Sequence, residues 1–360
     1  MKKNILTSFS FCILFSHYIM AQSYSGAESV EFDFANNRYL VSNTSTSQII
    51  ARAANGTLSI FATLAAAPYG IEIVGDTLYC CTGGSLRGVN LNTGIQIFSK
   101  VIATGQVFLN GITQDPSGNL YLTGFSSKKV YRFNTANRLS NVFVNNTTTT
   151  PNGIIYDAYD GINPRLVLAG WGSPATVKSI SLADSTLTTL TTTTFGNIDG
   201  IAKGKNGNFY IACWSNNSIQ RYDSTFANAP TAMVTSGISS PADIYYNQLT
   251  DTLAVPFGTN VNFYFFGTLT AQKSLLSNQE INIYPNPSNG IIQISSKLNQ
   301  KAAINLYELG TGKLVYSENT ANLNENLLLD VSNLNFTAGL YLIELISNDG
   351  VISRKKLTFE

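Results

Sequence analysis

Histidine is the scarcest residue in this chain of 360 residues: there is one, His17. It falls within an N-terminal segment that reads as a secretory signal peptide. Lys2 and Lys3 precede an apolar run from Ile5 to Met20, and Ala21-Gln22 offers a small-residue cleavage point. The run is too short and wrongly flanked for a membrane span, and no cysteine at the cut suggests a lipid anchor. A mature chain without residues 1–21 contains no histidine. That excludes a Ser-His-Asp triad, a Cys-His pair and a His-ligated zinc site. Any catalysis must rest on carboxylates, amides, hydroxyls, Lys, Arg or a hard metal.

Charge is also sparse, at 12% of the residues. Losing Lys2 and Lys3 takes Lys+Arg from 22 to 20, against 21 acids. A nearly neutral surface lacks the basic stripe that neutralises phosphates, so a nucleic-acid partner is excluded. Thr, Ser, Asn and Gly carry the solubility instead, which suits a loop-rich β protein outside the cell. Three cysteines follow the leader, Cys80, Cys81 and Cys213, and their number and spacing do not make a disulfide framework. They lie in apolar strand segments and read as buried small hydrophobes. A vicinal Cys80–Cys81 bridge is the rarer alternative.

What the chain does have is repetition. A short phrase recurs every 41 to 47 residues, each time opening a strand: "AESVEFD" at Ala27, "PYGIEIV" at Pro68, "LNGITQD" at Leu109, "PNGIIYD" at Pro151, "IDGIAKG" at Ile198 and "PADIYYN" at Pro241. The third residue of each is the anchor: Ser29, Gly70, Gly111, Gly153, Gly200 and Asp243. Each phrase leads through an Asn/Gly turn into an alternating apolar strand, then into a third and a weaker fourth. Four strands per period of this length predict a β-propeller blade. The expectation is an all-β chain: a six-bladed β-propeller over 22–267, a linker at 268–280, and a C-terminal immunoglobulin-like β-sandwich over 281–360. The sixth repeat is short at its outer edge, which leaves open how the ring closes. "GTGKLV" at Gly310 is rejected as a phosphate loop, because its first glycine is missing and it sits in a hairpin.

The C-terminal unit resembles the type A sorting domain of the type IX secretion system of Bacteroidota. "YPNPSNG" at Tyr284–Gly290, "LDVSNL" with "AGLYLIEL" at Leu329–Leu345, and the late "KKL" carry the likeness. It implies passage across the outer membrane by that machinery, then release or attachment at the cell surface.

In a propeller, the starts of the innermost strands and the loops after the second strands meet around one end of the central channel. The residues preceding the anchors are Glu28, Tyr69, Asn110, Asn152, Asp199 and Ala242. The loops add Asn43, Phe125, Trp171, Trp214, Ser215 and Asn216. Two carboxylates and two carboxamides from four blades would form an oxygen-rich cup, and such a set selects a hard cation, Ca²⁺ over Mg²⁺. Asn-Gly and Asp-Gly are also ordinary turn dipeptides at strand starts. The joint pattern favours the cup.

On these residues the propeller resembles the gluconolactonase and regucalcin type, related to NHL-repeat propellers, with weak likeness in blades two and six. The resemblance implies Glu28, Asn152 and Asp199 as metal ligands, Asp199 as general base and Asn110 as a substrate-binding residue. Where that family's lactonases place an arginine, this chain has Phe108, so the pocket is expected to be more apolar. Phe108, Phe125, Trp171 and Trp214 are the candidate lining. The expected function is that of a secreted or surface-attached, Ca²⁺-dependent lactone or ester hydrolase. The alternative is a non-catalytic propeller binding a glycan, peptide or surface partner through the same face. Four Asp-Ser or Asp-Thr pairs, in "GDTL", "ADST", "YDST" and "TDTL", resemble Bacteroidota O-glycosylation sites or are plain turns.

Overall fold

The computed structural model describes residues 22–159, 162–266, 282–295, 300–308, 314–323, 327–334, 338–347 and 352–360. The proposed leader, the linker 268–280 and the glycines of "GTGKLV" lie outside the described residues.

Residues 22–266 form six antiparallel sheets in chain order, the first five of four strands and the last of three. Their innermost strands are Ala27–Asp33, Ile71–Val74, Leu109–Gln114, Thr150–Asp157, Ile198–Lys203 and Tyr245–Asn247. Each innermost strand lies beside that of the next sheet, and the sixth lies beside the first. The result is a propeller-like ring, with apolar clusters shared between neighbouring blades. One packs Leu40 and Ile49 against Ile71 and Leu78; another packs Val167 and Val177 against Ile201 and Phe209.

The anchor glycines follow from this geometry. A Cβ on Gly111 would stand 2.5 Å from the carbonyl oxygen of Asn152, one on Gly153 2.5 Å from that of Asp199, and one on Gly200 2.6 Å from the Cα of Asp243. Each anchor is therefore where one blade's backbone meets the next, near the axis, and only hydrogen fits there. Gly153→Ala should cost about 3 kcal/mol, the upper part of the overpacking range, because what it meets is blade-five backbone, which cannot yield. In a melting experiment this corresponds to a fall of roughly 6–12 °C for a unit of this size. An unchanged melting temperature would contradict the close-approach account.

The two anchors that are not glycine face each other across the seam between blades six and one. Ser29 Oγ donates to Asp243 Oδ2 at 2.8 Å, and the Asp243 amide donates to the Glu28 carbonyl at 2.8 Å. The Ala27 amide donates to the Gly258 carbonyl, also at 2.8 Å. Tyr24, Val30, Tyr39 and Ala254 pack together along the seam. The ring thus closes by hydrogen bonds and apolar packing. Among the described residues the sixth sheet pairs Tyr245–Asn247, Thr252–Phe257 and Asn260–Phe265, and none of these strands comes from the other end of the chain.

The inner strands are bulged next to their anchors, between Ala27 and Val30, Pro151 and Ile154, and Ile198 and Ile201. A bulge leaves an amide without a ladder partner. In blade one the Ser29 amide donates to Ser42 Oγ at 2.9 Å; in blade three the Gly111 amide donates to Thr123 Oγ1 at 2.8 Å. Cys80, Cys81 and Cys213 are buried, unbridged thiols.

The C-terminal residues make a separate sheet-rich region. One sheet holds Asn282–Tyr284, Ile291–Ser295 and Leu327–Asp330; the other holds Leu314–Leu323, Gln300–Glu308, Gly339–Ser347 and Ile352–Phe359. Ile292, Ile294 and Leu329 from the first share one core with Ile304, Leu306, Ile343, Leu345 and Leu357 from the second.

Candidate functional site

Glu28, Asn110, Asn152 and Asp199 all lie in innermost strands, one residue ahead of their anchors. The ring brings them together around the axis at one end. Asn152 and Asp199 are in direct contact: Asn152 Nδ2 donates to Asp199 Oδ1 at 2.9 Å. Both are deeply buried, 2% and 5% exposed. The Asp199 oxygen takes an N–H of that amide, which leaves the amide's carbonyl oxygen turned away. That oxygen, Asn152 Oδ1, has no hydrogen-bond partner among the described residues. Asn110 is buried at the same level in blade three.

The carboxylates here carry an electrostatic burden. Burial raises the Asp199 carboxyl well above the usual range, and Glu28 and then Asp243 raise it further; the bond from Asn152 opposes them. Burial, followed by Asp243, lifts Glu28 to about 7. Asp243 itself rises to about 7 through burial, partly offset by its bonds from Ser29 and the Ile244 amide. Three acids thus share a low-dielectric space, and none of them has an ion-pair partner among the described residues.

The aromatic candidates flank this cup. Phe108 precedes Asn110 by two residues, and its neighbour Phe125 is tied to it by a backbone bond, Phe125 N to Phe108 O at 2.8 Å. Trp171 and Trp214 touch each other with ring centroids 5.5 Å apart. Their loops are pinned by Asn197, whose Oδ1 accepts from the Gly172 amide at 3.0 Å and whose carbonyl accepts from the Trp214 amide at 3.0 Å. Tyr69 lies close enough to Glu28 that the acid adds to the upward shift which burial gives its phenol.

Several groups escape a reading of the sequence alone. Asp243 is legible there only as an anchor, yet it is the acid that acts on both ends of the axis. A cavity of about 270 Å³ opens at the opposite end, lined among others by Glu31, Glu72, Gln114, Tyr156, Lys203 and Tyr245. Glu31 is raised well above the usual range by burial, then by Glu72 and Asp243. Glu72 reaches about 8, chiefly through burial and despite the bond from Gln114. Glu31, Gln114, Tyr156 and Lys203 sit three or four positions beyond the cup residues in the same strands, about 10 Å further along the axis at the usual rise. Period-2 alternation marks them as strand residues but does not tell which of them face the channel.

Two of the Asp-Ser/Thr pairs form turns in which the carboxylate accepts from the amide two residues on: Asp184 from Thr186 and Asp223 from Thr225. That is ordinary Asx-turn chemistry.

Comparison with known proteins now bears on both units. Residues 282–359 match the family described as the secretion system C-terminal sorting domain. Those residues are an export address. The protein is accordingly exported, to the cell surface or the medium, and meets the secretion machinery through this domain. No helix among the described residues is long and apolar enough to cross a membrane. No curated protein matches the sequence. Among solved structures, a gluconolactonase from Xanthomonas campestris aligns with a TM-score of 0.57 at 13% identity, over 67% of this chain and 86% of its own. A protein of unknown function from Bacteroides thetaiotaomicron gives 0.56 at 13%, over 69% and 71%. A streptogramin B lyase gives 0.51 at 12%, over 76% and 92%. At such identities the likeness is one of fold. Among the described residues no three His, Cys, Asp or Glu side chains stand close enough to hold a metal by themselves. The cup offers two carboxylates, and a further protein ligand there would be an amide, hydroxyl or backbone carbonyl oxygen.

Proposed function

We propose that the cup is a divalent-cation site, with Glu28, Asn152 and Asp199 as ligands, and that it serves an exported lactone or ester hydrolase. The observation that carries this reading is the Asn152 carbonyl oxygen, buried and unpartnered beside Asp199. Leaving such an acceptor dry costs about 1–3 kcal/mol unless something meets it. The donor set is all oxygen, and two carboxylates balance a divalent charge, which suits Ca²⁺. Bound there, the ion would act as a Lewis acid toward a carbonyl oxygen.

The chain's own residues supply the rest. Asp199 is the candidate base for a water molecule, and positive charge beside it would favour its ionised form against burial, Glu28 and Asp243. Asn152 orients it through the 2.9 Å bond. Asn110, on the neighbouring inner strand, can hold a hydroxyl or carbonyl of the substrate. Fold similarity to a gluconolactonase and a lyase agrees with hydrolysis or elimination on this scaffold without selecting between them.

A calcium titration of the full chain by calorimetry tests the site. One saturable site is expected, with affinity lowered at least about ten-fold in Asn152→Ala, the loss of one ligand bond worth roughly 1.4 kcal/mol. No heat from the parent protein would overturn both the cation site and the hydrolase built on it. The partial exposure of Trp214, 38%, favours a second reading: a non-catalytic propeller that binds a surface partner by the same face. Saturable ligand binding with no turnover in excess calcium would select it.

A further inference from the structure

The two tryptophans of the chain end a continuous file of rings beside the cup. Centroids step from Tyr69 to Phe108 at 4.6 Å, to Phe125 at 5.6 Å, to Trp171 at 5.6 Å and to Trp214 at 5.5 Å. Blades two to five each contribute. Every contact is tilted or edge-on, the arrangement aromatic quadrupoles prefer. Inside blade five, Phe226 touches both Phe209 and Tyr222, and all three have almost no exposure. The five rings of the file are all left partly open instead.

Phe108 shows that this placement is held against a cost. Its φ is +45°, in the left-handed region. The same position, two residues before the cup residue, is left-handed in blades five and six, where Asn197 and Ser240 occupy it at +49°. Asn tolerates that conformation; a bulky aromatic does so poorly, at about 1–3 kcal/mol. Blade three nevertheless carries Phe, and its ring bridges Tyr69 and Phe125.

We propose that the file seats the apolar tail of an amphipathic ligand, an acyl or alkyl chain of several carbons, whose oxygen-bearing head lies at the cup. The seat rests on the rings alone; the position of the head rests on the cation-site reading of the cup. Successive rings of the file touch one another directly, so it offers a long run of apolar contact. That suits a hydrocarbon tail better than a polyhydroxy ring, whose hydroxyls would go unmet. The polar cup lies at the axial side of the file, with Asn110 two residues from Phe108, so a ligand spanning both needs one apolar and one polar end.

Because Trp171 and Trp214 are the chain's only tryptophans, indole emission reports on this site alone. The full chain is titrated with γ-decalactone, γ-butyrolactone and glucono-δ-lactone, in excess EDTA and again in excess calcium. γ-Decalactone is expected to change the emission saturably in both conditions, at concentrations at least ten-fold below those of the other two. Phe125→Ala and Phe108→Asn should each weaken it at least ten-fold. Phe108→Asn serves as the folding control, since Asn suits the left-handed backbone; its melting temperature should stay within a few degrees of the parent's. Equal responses to the three lactones, or unchanged binding in both variants, would overturn the tail seat. Binding of γ-decalactone without hydrolysis in calcium would retain the seat and remove the hydrolase. Calcium binding with no preference for γ-decalactone would retain the cation site and remove the seat.

Discussion

Raising the pH from 5 to 8 in the presence of a chelator should lower the melting temperature of this protein by about 10 °C, and calcium should recover part of the loss. The reason is the set of acids along the axis. Glu28 and Asp243 titrate near 7 and Glu72 near 8, all raised first by burial, and Asp199 and Glu31 are also raised. In the unfolded chain these groups lose their protons near pH 4. Between pH 5 and 7 the folded protein therefore holds more protons than the unfolded one, and stability falls as pH rises. A tenfold weakening of one acid is worth about 1.4 kcal/mol, and the neighbouring acids share protons, so the sum is on the order of 2–4 kcal/mol. Lys203, the basic side chain lining the same cavity, is committed to Asp157 at 2.5 Å and offers no relief. A cation at Glu28, Asn152 and Asp199 would stabilise by about 2.7 kcal/mol at a hundred-fold excess over its dissociation constant. It leaves Glu31 and Glu72 untouched, hence partial recovery. A melting temperature that is flat from pH 5 to 8 would mean that the axis is wet and the acids unburdened.

Asp199→Asn should separate stability from function. The substituted amide oxygen can still accept from Asn152 Nδ2, so the buried contact survives while one of three crowded acids is removed. At pH 8 without calcium the variant should be more stable than the parent by about 1–3 kcal/mol, the scale of relieving a strongly weakened buried acid. Its calcium affinity should fall, and any hydrolytic turnover should drop by about 10²–10⁴, the usual contribution of a general base. Thermal melts, calorimetry and single-substrate kinetics read the three effects independently. A variant that is both less stable and equally active would make Asp199 a structural residue of blade five.

How far the chain could be read in advance depends on the range of the interaction concerned. The six phrases marked the innermost strands because each blade repeats the same local constraint, a residue with no room for a Cβ where it meets the next blade. Gly111, Gly153 and Gly200 satisfy it outright. Ser29 and Asp243 break it, and their departure is legible only once the ring is seen to close between them. Glu28, Asn152 and Asp199 were identifiable as neighbours from their equal positions in the repeat. The stranded oxygen of Asn152 was not, since it depends on which way an amide turns in a tertiary contact. Phe108, Phe125, Trp171 and Trp214 could be named one by one; their contact in a single file with Tyr69 comes from four blades and has no signature in any one of them. Glu31 and Glu72 were passed over because nothing in a strand's own pattern tells which of its residues faces a channel.

The manner of ring closure also sets the mechanics of the molecule. A propeller whose last sheet borrows a strand from the opposite terminus resists tension in shear, because the terminal strands must slide past each other all at once. Here the sheet that precedes the tail is made wholly of local hairpins, and its outermost strand, Asn260–Phe265, is also the one that leads toward the export domain. Tension arriving through the tail would peel that strand from Thr252–Phe257 one hydrogen bond after another, the geometry of least resistance. Blade six is thus the mechanical fuse of the ring, set to yield before the blades that hold Asn152 and Asp199.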